Sequence, residues 1–157
     1  VSRDALYEVV KSINKLDPDL IYSDEDKLTL QGFYVEPFYK PDFSMERFYS
    51  SNYLCHLSVF RKSLFDNVGG FRKAFDGSQD YDLLLRSAEK TSKIHHISKV
   101  LYHWRKIPGS CSVDHRSKPY AYLAGKKALE ESLKRRGISG KVLFGKGPGN
   151  YNVVIEA

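Results

Sequence analysis

The 157-residue sequence predicts a layered α/β domain with a mixed sheet flanked by helices, and three observations carry that prediction. Short apolar runs such as "LIYS" (20–23), "YLCHLSVF" (53–60), "KIHHI" (93–97) and "VLYHWR" (100–105) read as strands. Between them lie stretches with apolar residues at helical spacing. Strands and helices alternate along the chain, which is the pattern of a layered sheet-and-helix fold rather than an all-β or all-α one.

Taken in order, "SRDALYEVVKSINKL" (2–16) is an amphipathic helix with Ser2 as its N-cap and Leu6, Val9, Val10 and Ile13 as its apolar stripe. Asp17-Pro18-Asp19 stops it, and "LIYS" is a short strand that ends in three carboxylates, Asp24, Glu25 and Asp26. "GFYVEPFYKPDFS" (32–44) carries two prolines and reads as extended chain without regular structure. "SMERFYSS" (44–51) makes one or two helical turns and "YLCHLSVF" a strand. "RKSLFDNVGG" (61–70) is a short helix closed by Gly69 and Gly70. A loop, "FRKAFDGSQ", leads into the helix "DYDLLLRSAEKT" (80–91), whose acidic first turn suits the helix dipole. Residues 107–117 read as loop. "KPYAYLAGKKALEESLKRRG" (118–137) is a long helix ended by Gly137 after a basic last turn. The glycine-rich tail finishes in a strand, "YNVVIEA". "GKGPGN" (145–150) lacks the G-x-x-x-x-G-K-[ST] pattern of a phosphate loop and reads as a connector.

Composition narrows the class. With 41% hydrophobic and 28% charged residues the chain is an ordinary globular one, and no apolar run approaches the ~20 residues a bilayer span needs. Two cysteines, Cys55 and Cys111, without C-x-x-C spacing argue for a reducing, cytoplasmic setting. The net charge of +6 suits a phosphate-bearing partner. A basic nucleic-acid-binding module, or a scaffold without catalysis, is the alternative function. The basic residues are dispersed, however, and "KKALEESLKRR" interleaves acids, as a solvated helix face does, so no nucleic-acid partner is expected. Val1 is not an initiator residue, and the chain reads as part of something longer.

The densest chemistry lies in "FRKAFDGSQDYDLLLR" (71–86). A Gly-Ser turn delivers Gln79, Asp80 and Asp82 to the start of a helix whose next turn carries Arg86. A carboxylate there is either a cap or, facing a cleft, a general base. The acidic stretch 24–26 has two readings as well, a metal site or a solvated turn. His103, beside Trp104 in "YHWR", is either packed at a strand end or a metal ligand, whereas His56, His95 and His96 read as structural.

The ordered set "ALYEVV", "DLIYSDEDK", "PFYKPDFS", "SNYLCHLSVFRKSLFDNVGGF", "SQDYDL" and "YHWR", over roughly residues 2–113, resembles the C-terminal half of a family 2, GT-A type glycosyltransferase. The likeness is to bacterial O-antigen and polysaccharide enzymes, which often carry tandem catalytic domains. That resemblance implies a partial GT-A, Rossmann-like sheet whose N-terminal nucleotide-binding strands are absent. Residues 1–115 would form the acceptor and catalytic half, 116–137 a C-terminal helix, and 138–157 a connector with a terminal strand. It implies Asp80 as catalytic base, with Gln79 where the family usually has Glu, and Asp82 and Arg86 as bracing residues. Asp24 and Asp26 would be acceptor-side or supporting groups, because the family's metal-binding Asp-x-Asp belongs one helix earlier. His103 would complete the shell of Mn²⁺ or Mg²⁺, and Arg105 and Trp104 would meet the donor diphosphate. The implied reaction is inverting transfer from a nucleotide-sugar donor to a glycan or lipid-linked acceptor. It would take place in the cytoplasm or at the cytoplasmic face of a membrane, in a protein with a possible second transferase domain. This chain alone would have little activity.

Overall fold

A computed structural model describes residues 1–107 and 119–156. The chain is mixed α/β and forms two compact units. The first takes the described residues of Val1–Phe43, Tyr53–Arg61 and Ser92–Ser117, and the second those of Ser44–Asn52, Lys62–Thr91 and Lys118–Ala157. The expected loop at 107–117, with Cys111, lies outside the described residues beyond Ile107.

The first unit is a mixed sheet with one helix. Its spine is β1 (Leu20–Leu28), which pairs in parallel with β4 (Ile94–Arg105) along its whole length. Its other edge is shared end to end by two antiparallel partners: β3 (Ser58–Phe60) beside Leu20–Tyr22, and β2 (Tyr34–Phe38) beside Glu25–Leu28. Three expectations change here. "LIYS" does not stop at the acidic cluster, because β1 runs through it. "GFYVEPF" contributes a strand despite Pro37, which sits in a strand bonded on one side only, where a missing N–H is tolerated. "KIHHI" and "VLYHWR" are one strand, interrupted by register shifts opposite Ser23, Asp24 and Glu25 that absorb the intervening residues as bulges.

Helix α1 (Ala5–Leu16) ends at Asp17 in a left-handed conformation. Ala5 and Val9 pack with Ile21, Ile97 and Leu101 as the unit's apolar core. Ser2 does not cap the helix. Asp4 occupies the N-cap without a side-chain bond, and the Ser2 hydroxyl donates to Asp4 instead (2.7 Å). The expected buried stripe is also rotated: Val9 is inside, while Leu6, Val10 and Ile13 are exposed.

The second unit is helical with a hairpin. Helix α2 (Met45–Ser50) is capped by the Ser44 hydroxyl, which accepts from the Arg47 amide. Helix α3 (Lys62–Asn67) is closed by Gly69 and Gly70, both at positive φ. After a 3-10 turn (Lys73–Phe75), α4 (Gln79–Ala88) packs on α5 (Pro119–Arg135). The tail is no loose connector: β5 (Gly140–Phe144) and β6 (Tyr151–Ile155) form an antiparallel hairpin, and "GKGPGN" is its turn, closed by the Gly145 amide donating to the Asn150 carbonyl (2.8 Å). Phe48, Leu83, Leu84, Leu85, Leu129 and Leu133 are buried. The Tyr81 hydroxyl donates to the Phe48 carbonyl, and its ring meets Phe48 edge-on at 5.1 Å. Among the described residues no helix is long and apolar enough to cross a membrane.

Candidate functional site

Each unit carries one cluster of chemistry-bearing side chains. In the first unit the acidic stretch is no solvated turn. Asp24 and Asp26 are buried within β1, and each carboxylate of the run meets a different imidazole. Asp24 Oδ1 lies 2.8 Å from His96 Nε2 and accepts from the Lys40 amide at 2.8 Å. On its other side His96 Nδ1 lies 3.3 Å from Asp42, and the ring stacks on Tyr22 at 4.8 Å. Glu25 accepts from the His56 amide, lies 3.0 Å from His56 Nδ1, and sits 3.6 Å from the buried Lys40 ammonium. Asp26 Oδ1 lies 2.6 Å from His103 Nδ1, and the His103 ring tilts against Tyr34 at 4.4 Å.

These partners set the electrostatics. Burial works against ionised Glu25, but the His56 hydrogen bond and the Lys40 charge outweigh it and hold its pKa below the usual value. Burial pushes the Lys40 pKa down, against the attraction of Glu25. At the exposed end of the sheet Glu36 bridges Lys106 and Lys27, which lower its pKa to about 2. Trp104 lines a cleft with Glu25, Asp26, Lys27, Glu36 and Phe38, and Arg105 is exposed at the end of β4.

The second unit holds Asp80 and Asp82, two residues apart and differently placed. Asp82 is fully buried and takes a forked grip from two guanidiniums: Arg72 bonds both of its oxygens, and Arg86 donates to Oδ2 through Nη2 at 2.6 Å and Nε at 3.1 Å. Arg86 also donates to the Val68 and Gly70 carbonyls, and Arg72 reaches Glu131 of α5 at 2.9 Å. Burial opposes ionised Asp82, and the two arginines overcome it, so its pKa lies below the ordinary value. This network fastens α4 to the preceding loop and to α5.

Asp80 is half-buried in the first turn of α4 and caps nothing. Ser78 is the N-cap, and its hydroxyl donates instead to the Ala121 carbonyl at 2.7 Å. Asp80 Oδ2 accepts from the Asn52 side-chain amide at 3.1 Å. Tyr151 is near enough for the Asp80 charge to add, after burial and Tyr122, to forces that push its phenol up to about 12. Gln79 is exposed and accepts from the Gly77 amide (2.8 Å), tightening the turn before the helix.

Sequence reasoning missed Asn52, Lys40 and the roles of His56 and His96. Their partners are 16 to 72 residues away, and no local spacing marks them. Among the described residues no group of three or more His, Cys, Asp or Glu side chains is arranged to hold a metal ion.

An α/β chain whose buried acids sit on a sheet spine and at a helix start defines a broad class, and relatives narrow it. The chain is similar to the O-antigen biosynthesis protein RfbC of Myxococcus xanthus, with 42% identity over 123 residues, 78% of this chain and 10% of that protein. It is also similar to the uncharacterized protein y4gI of Sinorhizobium fredii, with 46% identity over 155 residues, 96% of this chain and 17% of that protein. The chain thus spans about a tenth to a sixth of the length of the curated relatives it matches. No family model matches it.

Proposed function

We propose that the chain is the acceptor-side, base-carrying part of a family 2, GT-A type glycosyltransferase acting in polysaccharide biosynthesis at the cytoplasmic side of a membrane. The observation that carries this reading is the placement of Asp80. It stands at a helix N-terminus, is half-exposed, and has one oxygen tethered to Asn52 while its neighbour Asp82 carries the structural load. Similarity to a protein named for O-antigen biosynthesis supports the same reading. In an inverting transfer Asp80 takes the proton of the acceptor hydroxyl as that oxygen attacks the anomeric carbon and the nucleoside diphosphate departs. Gln79, spent on the Gly77 amide, is no proton donor.

Mn²⁺ or Mg²⁺, when bound, would supply positive charge to the departing diphosphate. His103 would fit one ligand position, because Asp26 holds its Nδ1, which is how ligating imidazoles are commonly oriented. Among the described residues no group of three or more His, Cys, Asp or Glu side chains gathers around it.

The test is Asp80→Asn in the protein that carries this chain. Transfer from labelled nucleotide sugars to lipid-linked glycan is measured alongside circular dichroism. Loss of ~10²-fold or more in rate with unchanged folding is expected of a base. Turnover near the wild-type rate would sink the assignment.

A further inference from the structure

The cleft at Trp104 combines features that the reading above leaves unused. It measures about 240 Å³ and is lined by Glu25, Asp26 and Lys27 of β1, Glu36 and Phe38 of β2, and Trp104 of β4. It therefore crosses three adjacent strands, with Glu25 opposite Phe38 on one side and Lys27 opposite Trp104 on the other. A bulge between Glu25 and Lys27, with Glu36 at positive φ, distorts the pairing there. The Trp104 ring meets His56 at 5.1 Å in a tilted contact, and His56 is itself stacked on Tyr102 at 4.8 Å and tethered to Glu25.

Size and charge select the occupant. The volume falls below the roughly 300–1,000 Å³ typical of pockets for drug-sized ligands, so it suits a single ring and not a nucleotide sugar. Two of its carboxylates face ammonium groups, Lys27 and Lys106 on Glu36 and Lys40 near Glu25, and the third, Asp26, is held by His103. The charge is thus spent internally. A diphosphate would have to approach three carboxylates, and a cation would compete with ion pairs already made. A neutral, hydroxyl-rich ring has neither difficulty. Its apolar face can lie on an aromatic side chain while its hydroxyls donate to carboxylate oxygens, which are acceptors fixed in advance by their own partners.

We propose that this cleft binds one neutral pyranose ring of the acceptor glycan, stacked on Trp104 and hydrogen-bonded by Glu25 and Glu36. This gives Trp104 a saccharide contact in place of the diphosphate contact expected from the sequence. Calling the ring an acceptor residue rests on the transferase reading, whereas its binding does not depend on Asp80.

Trp104 is the sole tryptophan, so intrinsic emission reports this cleft directly. The 157-residue chain is titrated with methyl β-glucopyranoside, methyl β-galactopyranoside and methyl α-rhamnopyranoside, and separately with UDP and with choline. A saturable change with at least one pyranoside, at a Kd of ~1–10 mM, is expected. Phe38→Ala and Glu36→Gln each weaken that pyranoside severalfold, and Asp80→Asn leaves it unchanged. Saturation-transfer NMR observes the sugar itself and extends the test to Trp104→Ala, for which the signal disappears while the protein's methyl spectrum stays dispersed. No saturable change with any pyranoside, or a response to UDP or choline alone, overturns the proposal. Pyranoside binding together with full transfer by Asp80→Asn overturns the base assignment and leaves the cleft standing.

Discussion

The acidic run on β1 and the acidic pair on α4 look alike as sequence, and the fold treats them in opposite ways. On β1 three consecutive carboxylates are all engaged, each with its own imidazole. On α4 the work is divided: Asp82 is gripped by two arginines and fully buried, while Asp80 has, among the described residues, a single amide on one oxygen. The lesson is that a carboxylate's availability depends on how many donors reach it and how much water it keeps. Sequence proximity to other acids says little about either.

The sharpest way to break the comparison is Asp82→Asn. It removes the negative charge between Arg72 and Arg86 and leaves Arg86, nine-tenths buried, without its ion partner. Truncating one partner of a buried pair costs about 3–5 kcal/mol. Urea unfolding followed by circular dichroism should show a loss of that order, far above what Asp80→Asn produces. Equal effects of the two substitutions would erase the distinction.

Gly125→Ala asks whether the second unit's packing is what holds Asp80 in place. A methyl group there would stand 2.1 Å from the Tyr151 hydroxyl and 3.0 Å from its ring carbon, so either Tyr151 or α5 must move. Overpacking of this kind costs typically 1–3 kcal/mol. Tyr151 feels the Asp80 charge, so the Asp80 carboxyl signal in a carbon-detected NMR spectrum should move with it. A stable variant with an unshifted Asp80 signal would show that the hairpin does not shape the site.

How much of this was legible in the sequence differs between the two regions. Helix α4 and its acidic first turn follow from local signals, namely a Gly-Ser turn, helical spacing and dipole preference, and all of these act within a few residues. The grip on Asp82 was half visible, because Arg86 is one turn away, but Arg72 arrives from a loop. On β1 local signals misled. A run of three acids argues for a solvent-exposed turn unless partners are known, and these partners come from His56, His96 and His103 on other segments. The same holds for α1, where periodicity found the helix correctly but tertiary packing chose Ala5 and Val9 for the core and left Leu6, Val10 and Ile13 exposed.

Acid titration of stability sharpens the comparison further. Glu25 and Asp82 both have folded-state pKa values below their ordinary 4.5 and 3.8. A depressed carboxyl contributes stability that is fully present above its unfolded pKa and is lost as pH falls through the folded one. Stability should therefore hold down to about pH 4.5 on account of Glu25 and Glu36, and then decline, with Asp82 adding to the slope below about 3.8. Glu25→Gln should flatten the upper part of that decline and leave the lower part. A decline whose upper part is unchanged in Glu25→Gln would mean that the His56 and Lys40 contacts do not stabilise the ionised form.

The smallest expected effect is the stability change of Asp80→Asn, and it is informative because it is small. Asn at this position still offers an oxygen to the Asn52 amide, so the hydrogen bond at Oδ2 survives in kind. What is lost is the attraction between a carboxylate and the helix N-terminus, typically 0.3–1 kcal/mol. The N-cap itself is Ser78, so no cap is removed. Urea unfolding should place the variant within about 1 kcal/mol of the wild type. Such a result would leave the fastening of α4 to Asp82. A loss several times larger would instead make Asp80 a second structural acid, and the division of labour on α4 would collapse.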